Sequence, residues 1–154
     1  MIVVTLGSCS KSRDKMLDGR WKTTQDLSES GMALRFIVEF EFNNEDHTGS
    51  IDLQYFVGGV QLTSCHAPMT WSLADSDSVI RLKVDEEAIK FTFSPEFSVL
   101  SEGTDISQAD LDKEMRSQMK AAIGRWGEEK IQSISEDKMT LSEAGFQMVY
   151  YRVK

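Results

Sequence analysis

The sequence is poor in the residues that several classes of protein require. Only two cysteines, Cys9 and Cys65, occur in 154 residues, so a framework of disulfide bonds is excluded. The two histidines, His47 and His66, are too few for a zinc site, and we expect no metal ion and no cofactor. No run of about 18 apolar residues is present, so we expect no transmembrane helix.

Basic residues are also scarce relative to acidic ones. The chain has 17 Lys and Arg against 25 Asp and Glu, which gives a formal net charge of -8. Contacts with phosphates need clustered cations, so this balance argues against nucleic acid as a partner. Hydrophobic residues make up 40% of the chain, which is too many for wholesale disorder. We expect one domain with a core of its own.

Alternation of apolar and polar residues dominates the first two thirds of the chain. The alternation has a period of two, which predicts half-buried strands, over residues 34–42, 51–57, 69–73, 80–84 and 89–93. Clusters of turn-forming residues separate these segments. Pro68 and Pro95 mark expected strand boundaries, because proline cannot donate to a ladder of hydrogen bonds.

The period changes to that of a helix after Ser107, which suits an N-cap. An apolar stripe with helical spacing follows and is expected to face the core; its members are Leu111, Met115, Met119, Ala122, Ile123 and Trp126. On the opposite face, Arg116 and Gln118 are expected to be solvated. Strands resume after Glu129 and end with residues 146–153.

About eight short strands joined by turns indicate an antiparallel barrel or sandwich. A closed barrel is favoured, because it leaves no exposed strand edges. The predicted fold is therefore mainly β. It is an up-and-down, eight-stranded antiparallel barrel with one α-helix inserted before the last strands.

The start of the chain carries the clearest motif. An apolar run over residues 1–6 leads into Leu6-Gly7-Ser8-Cys9, which resembles the lipobox of bacterial lipoprotein signal peptides. The resemblance implies a lipid anchor on Cys9, which would hold the protein in the bacterial cell envelope, facing the periplasm or the surface. An ordinary N-terminus with a chance cysteine is the alternative. The expected organisation is a truncated signal peptide over 1–9, a tether over 10–17 and a barrel domain over 18–154.

Three further motifs follow the lipobox-like start in order: Gly19-x-Trp21, Thr70-Trp71-Ser72-Leu73 and Tyr151-Arg152. Together the four motifs resemble bacterial lipocalin-like lipoproteins, which belong to the wider calycin group. In that family the tryptophan closes the base of the barrel, and an arginine from the last strand packs across it. The resemblance implies these roles for Trp21 and Arg152.

The remaining chemistry-bearing residues favour structural roles. Cys65 precedes His66, but an inert, partly buried thiol is favoured over an activated one, because adjacency in sequence does not position a base. The acidic cluster at residues 43–46 reads as a hairpin tip, since it lacks the ligand spacing of a calcium loop. Asp75 and Asp77 read as turn residues. No catalytic motif is found, so we expect a protein that is not an enzyme.

A small barrel can enclose one apolar ligand or fill its interior with side chains. The candidate lining residues are the inward-facing set Phe36, Val38, Phe40, Leu53, Tyr55, Trp71, Phe91 and Phe93. The first hypothesis is a cell-envelope lipoprotein that binds a small apolar or amphipathic molecule. The alternative is a non-catalytic structural or interaction module, such as an inhibitor or accessory subunit of an envelope complex, whose protein partner the sequence does not name.

Overall fold

The computed structural model describes residues 11–29, 31–102, 104–143 and 145–154. Within these ranges the strands are β1 (Gly19–Glu29), β2 (Met32–Asn43), β3 (Thr48–Val57), β4 (Val60–Ala74), β5 (Val79–Val84), β6 (Lys90–Phe93), β7 (Glu128–Ile134), β8 (Lys138–Glu143) and β9 (Phe146–Arg152). The helices are α1 (Arg13–Leu17) and α2 (Gln108–Gly124), with 3-10 segments at Glu86–Ala88 and Pro95–Ser101. Cys9, the predicted lipidation site, lies outside the described residues.

The strands form a closed antiparallel barrel. Eight of them follow one another around the ring in the order β1-β2-β3-β4-β5-β7-β8-β9, and β9 returns to β1. β6 is an additional strand that pairs with β4 outside this ring. The predicted eight-stranded barrel is confirmed, as is the helix before the last strands, since α2 lies between β6 and β7.

One predicted strand boundary is wrong. Pro68 does not open a new strand but lies inside β4, which runs unbroken from Val60 to Ala74. The break falls on the neighbouring strand instead: β5 pairs with one half of β4 and β6 with the other. Pro68 offers its carbonyl to the Asp85 amide at 2.9 Å but has no N–H to give, so the ladder is interrupted opposite it.

Antiparallel pairing gives the barrel two distinct ends. The β2–β3, β4–β5 and β7–β8 connections lie at one end, which we call the base. The β1–β2, β3–β4 and β8–β9 connections lie at the other end, which we call the mouth. α2 joins the mouth end of β6 to the mouth end of β7, so the inserted helix lies at the mouth.

The chain entering the barrel differs from the tether expected over residues 10–17. Residues 13–17 form α1, and Leu17 is fully buried. The Trp21 indole Nε1 donates to the Leu17 carbonyl at 2.8 Å, which fixes the end of α1 beneath the barrel. An apolar side chain at the last helical residue explains the difference, because burial outweighs the freedom of a polar linker.

The interior is filled at the base and emptier at the mouth. On the inward face of β1 and β2, the pairs Trp21–Phe40 and Thr23–Val38 are buried. One level higher, Gln25 and Phe36 are only half-buried, and still higher Leu27 is 46% exposed. β9 shows the same gradient, from buried Tyr150 to Phe146 at 78% exposure. The mouth therefore presents an apolar inner wall that the barrel does not itself cover.

Candidate functional site

α2 partly fills the mouth. Ser107 caps the helix as predicted, since its hydroxyl oxygen accepts from the Asp110 amide. Met119 and Ile123 of the predicted apolar stripe are buried in the barrel core. The Thr63 hydroxyl on β4 donates to the Met119 sulfur at 3.1 Å, which ties the helix to the inner wall.

The other side of α2 is exposed, as predicted for Arg116 and Gln118, although Arg116 also packs over two aromatic rings. The Arg116 guanidinium lies 5.1 Å from the Phe91 ring centroid and 4.8 Å from that of Phe93. Such contacts between a cation and an aromatic face are favourable. Phe91 and Phe93 were predicted to line a ligand site. Their rings lie under Arg116 instead, and neither residue lines the pocket described next.

A pocket of about 340 Å³ opens between α2 and the upper inner walls of β2 and β3; it is lined by Phe36, Leu53, Tyr55, Met115, Gln118, Met119, Ala121, Ala122 and Arg125. Three residues of the predicted lining set, Phe36, Leu53 and Tyr55, therefore come together here. The helical wall was missed as a lining surface, although the stripe through Met115, Met119 and Ala122 was its signal. Periodicity shows that a helix face is buried but does not show what it meets.

Three other predicted lining residues belong to the solid core beneath the pocket. Val38, Phe40 and Trp71 are buried. Phe40 packs against Tyr150 and Trp126, with ring centroids 5.4 and 5.6 Å apart. The barrel therefore combines a filled lower half with a small apolar pocket above it.

Polar groups in the pocket are few. Burial raises the pKa of the Tyr55 phenol, so this hydroxyl is neutral and can donate a hydrogen bond. In the described part of the chain the Tyr55 hydroxyl has no hydrogen-bonding partner, and its ring packs on Phe36 at 4.7 Å. Gln118 donates to Glu114 at 3.0 Å. The lining thus offers apolar surface with a phenol, an amide and the Arg125 guanidinium.

A second opening runs between β1 and β9, and we call it the seam. These strands pair only at Trp21–Arg152 and Lys22–Tyr151, close to the base. Towards the mouth they separate, leaving a groove of about 730 Å³ between residues 22–25 and 147–153. The ladder around the barrel is therefore weakest along this line.

At the base, Arg152 and Trp21 are in contact. The Arg152 guanidinium lies 4.2 Å from the centroid of the Trp21 ring. It also donates to the carbonyls of Met16 and Asp18, the first at 2.6 Å. Gly19 has φ +110°, and a Cβ there would lie 2.7 Å from Arg152 Nη1, so glycine leaves room for the guanidinium.

The cysteine and histidines of the barrel lie apart. Burial raises the pKa of the Cys65 thiol to about 12, so it is not a thiolate at neutral pH. His66 turns to the other face of β4, where its Nδ1 lies 2.8 Å from an Asp52 carboxylate oxygen. His47 packs on Trp71. Within the described ranges, no three His, Cys, Asp or Glu side chains are grouped to hold a metal ion.

The acidic residues of the turns have local structural roles. Asp46 accepts from both the amide and the hydroxyl of Thr48, which closes the β2–β3 hairpin. Asp75 and Asp77 both have positive φ in the turn between β4 and β5, a conformation that aspartate adopts more readily than most residues. In this turn the two carboxylates belong to the connection at the base, far from the pocket.

Comparison with protein-family models finds no match, and comparison with the curated proteins finds none either. Neither helix in the described part of the chain has the length and apolarity needed to cross a bilayer.

Proposed function

We propose that this chain is a cell-envelope lipoprotein whose lipocalin-like barrel binds a small apolar or amphipathic molecule at its mouth, without catalysis. The observation that carries the proposal is the apolar pocket between α2 and the inner walls of β2 and β3. Small-molecule sites are typically concave, mostly apolar and supplied with a few polar groups, and this lining has that character.

The size of the pocket supports a small ligand. Its volume of about 340 Å³ lies near the lower end of the range for such sites, which is roughly 300–1,000 Å³. The half-buried rings of Phe36 and Tyr55 gain burial when an apolar group enters. Each CH₂ group removed from water contributes about 0.8 kcal/mol, so even a short chain supplies useful affinity.

Filling the pocket is expected to abolish binding. Ala122→Phe places a ring where the ligand would lie, whereas Ala33→Phe adds the same ring to an exposed position of β2. Native mass spectrometry of protein purified gently from its host should show an added small mass on the wild type and on Ala33→Phe only. An equal added mass on Ala122→Phe would contradict the proposed site, and an unliganded wild type would favour the alternative function below.

The anchor is tested separately from the pocket. Cys9→Ser is expected to move nearly all of the protein from the membrane fraction to the soluble fraction, because acyl chains supply the hydrophobic hold on the bilayer. Cys65→Ser is the matched control, since Cys65 is buried in the barrel. Retention of the Cys9→Ser protein in the membrane fraction of its host would remove the lipoprotein part of the proposal.

The seam favours a second candidate, an interaction module. Residues 146–150 of β9 carry no charge and no proline, and they are rich in residues that favour strands. Charged residues and prolines normally prevent an exposed strand edge from pairing with another chain. A strand edge that lacks both is suited to pairing with an extended segment of another protein. A stoichiometric protein partner in the native mass spectrum, in place of a small added mass, would favour this function.

A further inference from the structure

We propose that the pocket at the mouth selects an amphipathic molecule with one alkyl chain and an anionic headgroup, and that Arg125 binds this headgroup. The headgroup is a carboxylate, a phosphate monoester or a sulfate monoester. The inference rests on the proposed function, because it specifies the ligand of the same pocket. It is carried by the charge of the lining and by the state of the arginines elsewhere in the molecule.

Most arginines of the barrel already have a partner. Three of them pair with carboxylates: Arg20 with Glu39, Arg35 with Asp26 and Arg81 with Glu128. Arg116 and Arg152 lie over aromatic rings. The Arg125 side chain has neither kind of partner in the described part of the chain, although it lines the pocket. Of the seven arginines, Arg13, Arg116, Arg125 and Arg152 have no carboxylate partner among the described residues, and Arg125 is the one of these four that lines the pocket.

The lining has no negative charge to oppose an anion. Its nine residues include no Asp and no Glu, and Arg125 is the charged member. The Glu114 carboxylate, one turn before Gln118 on α2, accepts a hydrogen bond from the Gln118 amide. A cationic headgroup would therefore meet Arg125 without a compensating acid, whereas an anion would gain a charge-assisted hydrogen bond.

The tail of the ligand is set by the rest of the pocket. Phe36, Leu53, Met115, Met119 and Ala122 supply the apolar surface of the lining. Tyr55 adds a neutral hydroxyl to the same lining. Arg125 is exposed at the C-cap of α2, so a headgroup held there stays near water while the tail enters the barrel.

Three probes with one tail separate the headgroup from the pocket. Decanoate and decyltrimethylammonium, each below its critical micelle concentration, and 1-decanol, below its solubility limit, are titrated calorimetrically into the intact chain. Decanoate is expected to bind the wild type about tenfold more tightly than the other two, a difference of about 1.4 kcal/mol. Arg125→Gln should weaken decanoate about tenfold and leave decanol unchanged, and Arg125→Lys should restore part of the loss.

Arg35→Gln is the matched control, because it removes an arginine from β2 that faces Asp26 rather than the pocket. It should leave all three affinities unchanged. A cation at the C-terminal end of α2 also favours the helix, so the unfolding midpoint of Arg125→Gln is measured alongside. A general loss of stability would weaken decanol and decanoate alike and would not produce a headgroup-dependent change.

The outcomes separate this inference from the proposed function. Equal affinities for the three probes, or an Arg125→Gln protein that still prefers decanoate tenfold, would overturn the assignment of Arg125 while leaving the apolar pocket in place. Failure of every probe to bind the wild type would overturn both. A decanoate preference that Arg125→Gln abolishes and Arg35→Gln retains is the result that supports the inference.

Discussion

Replacing Trp21 with alanine is expected to lower the free energy of unfolding by about 3–5 kcal/mol, the usual cost of truncating a fully buried tryptophan. Trp21 is 0% exposed and contacts three parts of the chain at once. It bonds Leu17 of α1, pairs with Phe40 on β2, and lies under Arg152 of β9. Its removal therefore opens a cavity at the base and leaves the Arg152 guanidinium without the aromatic ring on which it packs.

The measurement is urea unfolding followed by circular dichroism, with Tyr151→Ala as the control. Tyr151 is an aromatic residue next to Arg152 but is 59% exposed, so its truncation should cost less than about 1 kcal/mol. A Trp21→Ala protein as stable as Tyr151→Ala would mean that the base is held by other contacts and that Trp21 does not close the barrel.

Gly49→Ala is expected to cost at least about 2 kcal/mol, because it overpacks the barrel wall. Gly49 lies at the start of β3 on its inward face, opposite Phe42 of β2. An ideal Cβ at Gly49 would lie 2.0 Å from the Glu41 carbonyl oxygen and 3.0 Å from the Met69 methyl carbon. The methionine can move, but the carbonyl belongs to a strand that is paired on both sides. The backbone of β2 or β3 must therefore shift.

Gly127→Ala is the matched control for this prediction. No atom lies within 4 Å of the Cβ that Gly127 would gain, and its φ is not left-handed. The control should change the free energy of unfolding by no more than about 0.5 kcal/mol. Equal midpoints for the two variants in thermal unfolding would show that the β2–β3 ladder can open without cost at Gly49.

The period of the apolar residues was enough to predict the barrel. Strict alternation over residues 34–42 matches β2, and the switch to helical spacing at Ser107 matches α2. Pro68 shows the limit of local signals. Its missing N–H does interrupt a ladder, but the interruption appears in the neighbouring strand, because a proline within a strand affects whichever partner its nitrogen faces.

The candidate site was half predictable for a related reason. Phe36, Leu53 and Tyr55 were identified because alternation assigns each of them to an inward face. Alternation does not say at which height along the barrel the interior stops being filled, so Val38 and Phe40 were grouped with them. That height depends on where α2 lies, and α2 reaches the mouth through contacts such as Thr63–Met119, whose partners are 56 residues apart.

The contacts of Arg152 at the base bear on the order in which the molecule folds. Its hydrogen bonds reach Asp18 and Met16 across 134 and 136 positions of sequence, whereas β1 to β4 pair with their neighbours along the chain. Loop-closure entropy makes the distant contacts slow to form. A chain growing from its N-terminus can complete four strands early, but the ring stays open and Trp21 lacks its cover until the last strand has emerged. Pairing of the seven-residue strand β9 is thus the step that closes the barrel. We expect a chain whose translation stops before β9 to form an aggregation-prone sheet with two free edges.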